Sequence, residues 1–174
     1  WPNKPQRYCF FLHPYNVRTP PDKNKKIIFN ELYYRYNIDT SMPFFLCPAR
    51  HHWVNGNASV LKGNDIMIRG IASFLSKLPK NDHGKIKFIF NRWGVDVKAS
   101  DALIDELGIQ DNIIWIPPLP KLIYLTLMSR SCAVIDQFNA KTFGGVALDA
   151  ISSGSILISS IDEECIRLKF PVLP

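Results

Sequence analysis

Ala133-Val134-Ile135-Asp136, then Phe143-Gly144-Gly145-Val146-Ala147-Leu148-Asp149-Ala150-Ile151-Ser152-Ser153-Gly154, then Ile156-Leu157-Ile158 is the stretch from which the fold is read. The outer pieces are short apolar runs of β-favouring residues, the length of buried strands. In the middle piece Phe143, Val146, Ala147, Ala150 and Ile151 recur at helical spacing, and Gly154 supplies a C-terminal stop. Strand, helix, strand within so few residues is a βαβ unit, which requires parallel strands.

The same alternation extends upstream. Phe44-Phe45-Leu46-Cys47-Pro48-Ala49, Lys87-Phe88-Ile89-Phe90-Asn91 and Ile113-Ile114-Trp115-Ile116 are further strand candidates. Between them Met67, Ile71, Phe74, Leu75 and Leu78 mark a helix ending near Pro79. Ser100 is placed as the cap of a second helix, which carries Leu103 and Leu107 and stops at Gly108, and Pro120 opens a third over Lys121 to Met128. Five apolar strands alternating with helices predict an α/β fold, a doubly wound, mostly parallel Rossmann-like sheet covered on both faces. Ligands of such sheets bind at the carboxyl ends of the strands, which places Arg50, Asn91, Pro117 and the 136–145 segment on one rim.

Ahead of this lies a different texture. Residues 1–42 are irregular and proline-rich, with one amphipathic stretch near Ile27 to Tyr36, and they hold seven basic against three acidic side chains, +4 of the net +6. We divide the chain into 1–20, a linker or the end of a missing N-terminal domain, and 21–174, a Rossmann-like domain cut short at its C-terminal end. At 174 residues the chain matches one ordinary globular domain, and 47% hydrophobic with 21% charged residues excludes disorder, collagen and coiled coil. No apolar run approaches the roughly 20 residues of a membrane span, and no signal-peptide pattern opens the chain. Cys9, Cys47, Cys132 and Cys165 lack CxxC spacing and read as free thiols, with Cys47 and Cys132 buried in apolar runs, as in a reducing, cytoplasmic compartment.

Neither G-x-G-x-x-G nor G-x-x-x-x-G-K-[ST] occurs, and no G-x-S-x-G or Cys-His arrangement supports hydrolase chemistry. Gly144-Gly145 instead stand at a helix start, where exposed N–H groups and the helix dipole suit a diphosphate, or where a tight turn simply needs glycine. Arg50 and Lys62 can converge on the same rim to stabilise charge on a departing diphosphate, or remain solvated surface cations. Asp149 sits where a carboxylate can accept from ribose hydroxyls. His51-His52 with Trp53 can put a ring nitrogen near a substrate, but the usual loop histidine is a polar surface residue. With His13 and His83 added there is still no metal-ligand spacing. Asp162-Glu163-Glu164 reads as a helix N-terminus.

In order of features the chain resembles the C-terminal, nucleotide-sugar-binding domain of retaining GT-B glycosyltransferases of family 4 (group 1). Pro48-Ala49-Arg50 with Lys62-Gly63-Asn64-Asp65 resembles the family's Arg…Lys-Gly element, with a longer loop between. Leu107 to Ile116 is similar to its lead into the third strand, and Phe143 to Gly154 to its "F-G-l-x-x-l-E-A-m-a-x-G" signature. The likeness spans roughly residues 14–160. It implies Arg50 and Lys62 as the catalytic pair on the donor diphosphate, and Gly144, Gly145, Asp149, Lys141, Asn91 and Pro117 as donor-binding positions. The family's two glutamates fall on Lys141 and Asp149, so the first acid is replaced by a cation; Asp136 and Gln137 can supply polar sugar contacts instead.

The resemblance thus implies a hexosyltransferase-type donor domain, inactive alone, that binds a nucleoside-diphosphate sugar without metal or other cofactor. The sugar would pass to a glycan or lipid-linked acceptor held by the missing N-terminal domain, as in polysaccharide biosynthesis at the inner face of a membrane, which the longer protein would touch peripherally. Two other classes stay open. One is a catalytically inactive nucleotide-binding or scaffolding relative; the other is a basic nucleic-acid-binding module, disfavoured because no basic, aromatic-interleaved stripe is present.

Overall fold

The structure, a computed structural model, describes residues 22–39, 41–56, 60–141 and 143–163. The 1–20 linker, Cys9, His13, Cys165 and the continuation of a helix after Glu163 lie outside the described residues. The chain runs α1 (Asp22–Tyr36), β1 (Phe44–Cys47), α2 (Asn64–Ser76), β2 (Lys87–Asn91), α3 (Val97–Glu106), β3 (Ile113–Ile116), α4 (Lys121–Met128), β4 (Ala133–Ile135), α5 (Gly145–Ser152) and β5 (Leu157–Ile158), with short 3₁₀ segments at Lys80–Lys85 and Gln110–Asn112. All strand pairings are parallel, and the order across the sheet is β3-β2-β1-β4-β5.

Period-two alternation along each strand separates two cores. Phe44, Leu46, Ile89, Ile116 and Val134 face one side, where they pack with Leu32 of α1, Leu125, Leu127 and Met128 of α4 and Ala150 of α5. Cys47, Phe88, Phe90 and Ile135 face the other, against Met67, Ile68, Ile71 and Leu75 of α2 and Leu103 and Ile104 of α3. Among the helices that follow β1 the face therefore changes once, between α3 and α4. At that point the chain leaves the β3 edge and returns to lay β4 beside β1. The crevice outside the carboxyl ends of β1 and β4 is the topological switch point, where ligands of open α/β sheets bind.

Several local expectations are corrected. Ser100 is not a cap: α3 begins three residues earlier with Asp96 at the N-cap position, and Ser100 is buried inside the helix. α5 begins at Gly145 rather than Phe143, because Gly144 is extended (φ −90°, ψ 176°) and Phe143 precedes the turn. Cys47 is buried but Cys132 is exposed, as it precedes β4 at the strand's solvent end. Both are free thiols. Among the described residues no helix is long and apolar enough to cross a membrane.

Candidate functional site

Arg50 follows β1 by three residues, beyond Pro48 and Ala49, which are both buried and hold its backbone against the sheet. The loop is clamped from the β2 side. His51 N–H donates to the Trp93 carbonyl (2.7 Å), the His51 carbonyl accepts from Asp96 N–H (3.0 Å), and the Asp96 carboxylate accepts from the N–H groups of Trp53 (2.7 Å) and Val54 (3.0 Å). Gly94 permits this approach. Its φ is +123°, and a Cβ there would fall 2.2 Å from the His51 carbonyl oxygen.

His51 itself is fully buried, contrary to the surface reading of a loop histidine. Its ring lies 4.8 Å from Trp115 and 5.4 Å from Phe90, and Nδ1 is 2.8 Å from Ser100 Oγ, which also accepts from Trp53 Nε1 (2.8 Å). Burial pushes its pKa down to about 4, with Asp101 and Asp96 opposing and Arg92 assisting. The ring is therefore neutral near pH 7 and forms a wall with Phe90, Trp115 and Ser100 beneath the β1 loop.

Lys62 arrives from the other direction. Its N–H donates to the His52 carbonyl and its own carbonyl accepts from Phe138 N–H, both at 2.8 Å, so this segment ties the β1 loop to the β4 loop. Nζ then donates to Gln137 Oε1 at 2.5 Å. Partial burial lowers the Lys62 pKa from its ordinary value, Asp136 opposing and Arg50 assisting.

Arg50, Lys62, Asp136, Gln137, Trp93 and the Gly144-Gly145 start of α5 line one cleft of about 230 Å³ at the switch point. Two charged side chains in it carry buried atoms without a hydrogen-bond partner, Arg50 Nε and Asp136 Oδ2. Burial raises the Asp136 carboxyl above its ordinary value, while Lys62 and the Gln137 N–H pull it down. A Cβ on Gly144 would sit 3.5 Å from Gln137 Nε2 and 3.8 Å from Asp136 Oδ2, an ordinary contact that would narrow the cleft. Chemically this is a half-desolvated pair of cations beside the N-terminus of a helix, suited to a multiply charged anion.

No protein-family model matches the chain. Over 109 residues it is 27% identical to a D-inositol 3-phosphate glycosyltransferase of Acidothermus cellulolyticus, which covers 60% of this chain and 24% of that protein. Among solved structures it is similar to WaaG, a glycosyltransferase involved in lipopolysaccharide biosynthesis, with a TM-score of 0.55, 18% identity and coverage of 80% of this chain and 33% of that one. Anabaena HepE, solved with UDP and glucose, aligns at a TM-score of 0.53 and 15% identity over 81% and 34% of the two chains. The chain has the Rossmann-like α/β fold of these GT-B glycosyltransferases. It spans about a quarter of the length of the curated relative it matches.

Within this fold the remaining positions named from the sequence do not join the cleft lining. Asn91 is buried at the end of β2, its Nδ2 3.5 Å from the Pro48 carbonyl and its Oδ1 unpartnered. Pro117 is exposed after β3. Lys141 is exposed with φ +44°, and its carbonyl accepts from Asp162 N–H (3.0 Å). Asp149 lies farther along α5 and is ion-paired to Lys121 of α4 at 3.0 Å. The wall formed by His51, Ser100 and Trp115 was missed from sequence. Ser100 and Trp115 stand 49 and 64 residues beyond His51, and no local pattern links them.

Proposed function

We propose that this chain is the donor-binding domain of a glycosyltransferase, taking a nucleoside-diphosphate sugar at the switch-point cleft for transfer to a glycan or lipid-linked acceptor held elsewhere in a longer protein. The observation that carries the proposal is the convergence of Arg50 and Lys62, from opposite sides, on the start of α5. Arg50 and Lys62 take the diphosphate oxygens, and the Gly144 and Gly145 segment brings backbone N–H groups and the helix dipole to the same charge. As the bond between sugar and phosphate breaks, negative charge grows on the departing diphosphate, and fixed cations in a half-buried cleft stabilise it without reorganisation. No metal or other cofactor enters this scheme.

Asp149, held by Lys121, receives the ribose hydroxyls. Asn91, Pro117 and Lys141 border the base and sugar ends. The UDP bound to the similarly folded HepE supports a nucleoside diphosphate here, as does the match to curated glycosyltransferases. Retention of anomeric configuration and inactivity of this chain by itself belong to the same proposal. Lys141, standing where the family carries an acid, favours a second reading in which the domain binds its nucleotide without transfer.

Calorimetric titration with UDP, GDP and ADP tests the proposal. One of the three is expected to bind selectively, and the Arg50→Ala, Lys62→Ala double variant to lose at least about tenfold in affinity, 1.4 kcal/mol or more. Undiminished binding by the double variant, or no binding of any of the three by folded chain, contradicts it.

A further inference from the structure

Asp136 brings a negative charge into a site otherwise arranged for an anion. It follows β4, is 5% exposed and lines the cleft beside Gly144. The backbone N–H of Gln137 hydrogen-bonds its carboxylate, and Oδ2 is buried with no partner. Lys62 acts on it through space rather than by direct pairing, its Nζ donating to Gln137 Oε1. The charged groups lining the cleft with Asp136 are Lys62 from the segment before α2 and Arg50 from the β1 loop; the start of α5 presents the uncharged Gly144, Gly145 and Val146, and the loop after β2 contributes Trp93. A diphosphate entering this small space brings two or more negative charges close to an unscreened carboxylate. At about 5 Å and an effective dielectric of about 20, one such like-charge pair weakens binding on the order of a hundredfold before solvent screening.

We propose that diphosphate binding in this cleft is coupled to protonation of Asp136. A proton from solvent bonds to Oδ2, the side chain passes from carboxylate to neutral acid, and its O–H then donates to a phosphate oxygen. The proposal rests on the reading of the cleft as a diphosphate site. Burial already favours the neutral acid, and an anion alongside favours it further. The bound state therefore holds more protons than the free state, and affinity rises as pH falls through the range between the two titrations.

The test is titration with UDP and with inorganic pyrophosphate, and with UDP-glucose for comparison, at pH 5.5 and pH 8, in pairs of buffers of different ionisation enthalpy, on the wild-type chain and on Asp136→Asn. Asp136→Ser serves as a second variant, and thermal unfolding checks that each is folded. The wild-type chain is expected to take up more protons on binding than either variant. The variants are expected to bind both probes about tenfold tighter at pH 8, with the difference shrinking at pH 5.5. Equal proton uptake in wild type and variants, or weaker binding by the variants, overturns the proposal and leaves the donor site standing. A loss seen with UDP-glucose but not UDP also overturns it and makes Asp136 a hydroxyl acceptor. No binding of either probe by folded wild-type chain removes the donor-site reading and this inference together.

Discussion

The neutral, buried imidazole of His51 illustrates how one residue can matter to a site it does not line. Nδ1 is satisfied by Ser100, Nε2 is enclosed without a partner, and the ring packs against Phe90 and Trp115. In the unfolded chain a histidine titrates near 6.5, whereas here burial holds it at about 4. Between those values the unfolded state binds the extra proton, so the stability contribution present above pH 6.5 is lost as pH falls. It amounts to about 3 kcal/mol by pH 4. Urea unfolding across pH 4 to 7 is expected to show this slope in the wild-type chain and a shallower one in His51→Gln; equal slopes would mean that His51 does not titrate in this window. Sequence alone assigned His51 to the surface because a histidine between Arg50 and His52 carries no apolar periodicity. Asp136 was legible as a polar residue ending a strand and able to meet the sugar, but its unpartnered oxygen was not, since that is a property of packing.

At the scale of elements, each strand was readable because a parallel strand buried on both faces must be an unbroken apolar run, as Phe88-Ile89-Phe90 is. Helix starts were less readable. Ser100 has the chemistry of an N-cap, but its hydroxyl is used by His51 and Trp53, contacts set by the docking of α3 on the β1 loop. That docking passes through Gly94, where the turn before α3 meets the His51 main chain. Gly94→Ala puts a methyl group into backbone at a φ that alanine resists, and a loss of about 3 kcal/mol or more is expected, with weakened UDP binding. Gly70→Ala is the control. Gly70 lies within α2 with no atom within 4 Å of an added Cβ, and that change is expected to stabilise by up to about 1 kcal/mol. Denaturant midpoints measured on both variants check the pair, and a mild Gly94→Ala would mean that the two loops separate easily.

For the whole molecule, the strand order decides where function can sit. Because β4 returns beside β1, the carboxyl ends of these two strands open the crevice in which Arg50, Lys62, Asp136 and the α5 N-terminus meet, although 86 positions separate Asp136 from Arg50. The sequence motifs pointed to Arg50, Lys62, Gly144 and Gly145 individually, and the topology brings them to one cleft. Asn91 and Pro117, named from their places at strand ends, and Lys141 and Asp149, named from the signature, stand outside its lining, since likeness in order does not specify how loops of altered length and charge are arranged. A second, larger depression of about 360 Å³ between α2 and β4–β5, lined by Phe45, Met67, Phe74 and Ile135, is almost wholly apolar and offers a phosphate nothing. Amide-resolved NMR of the labelled chain titrated with UDP, GDP and ADP separates these surfaces directly. Shifts concentrated at Arg50, Lys62, Gln137 and Gly144 to Val146 are the expected result. Shifts centred on the apolar depression, or none with any nucleotide in a folded chain, would contradict the placement of the donor site at the switch point.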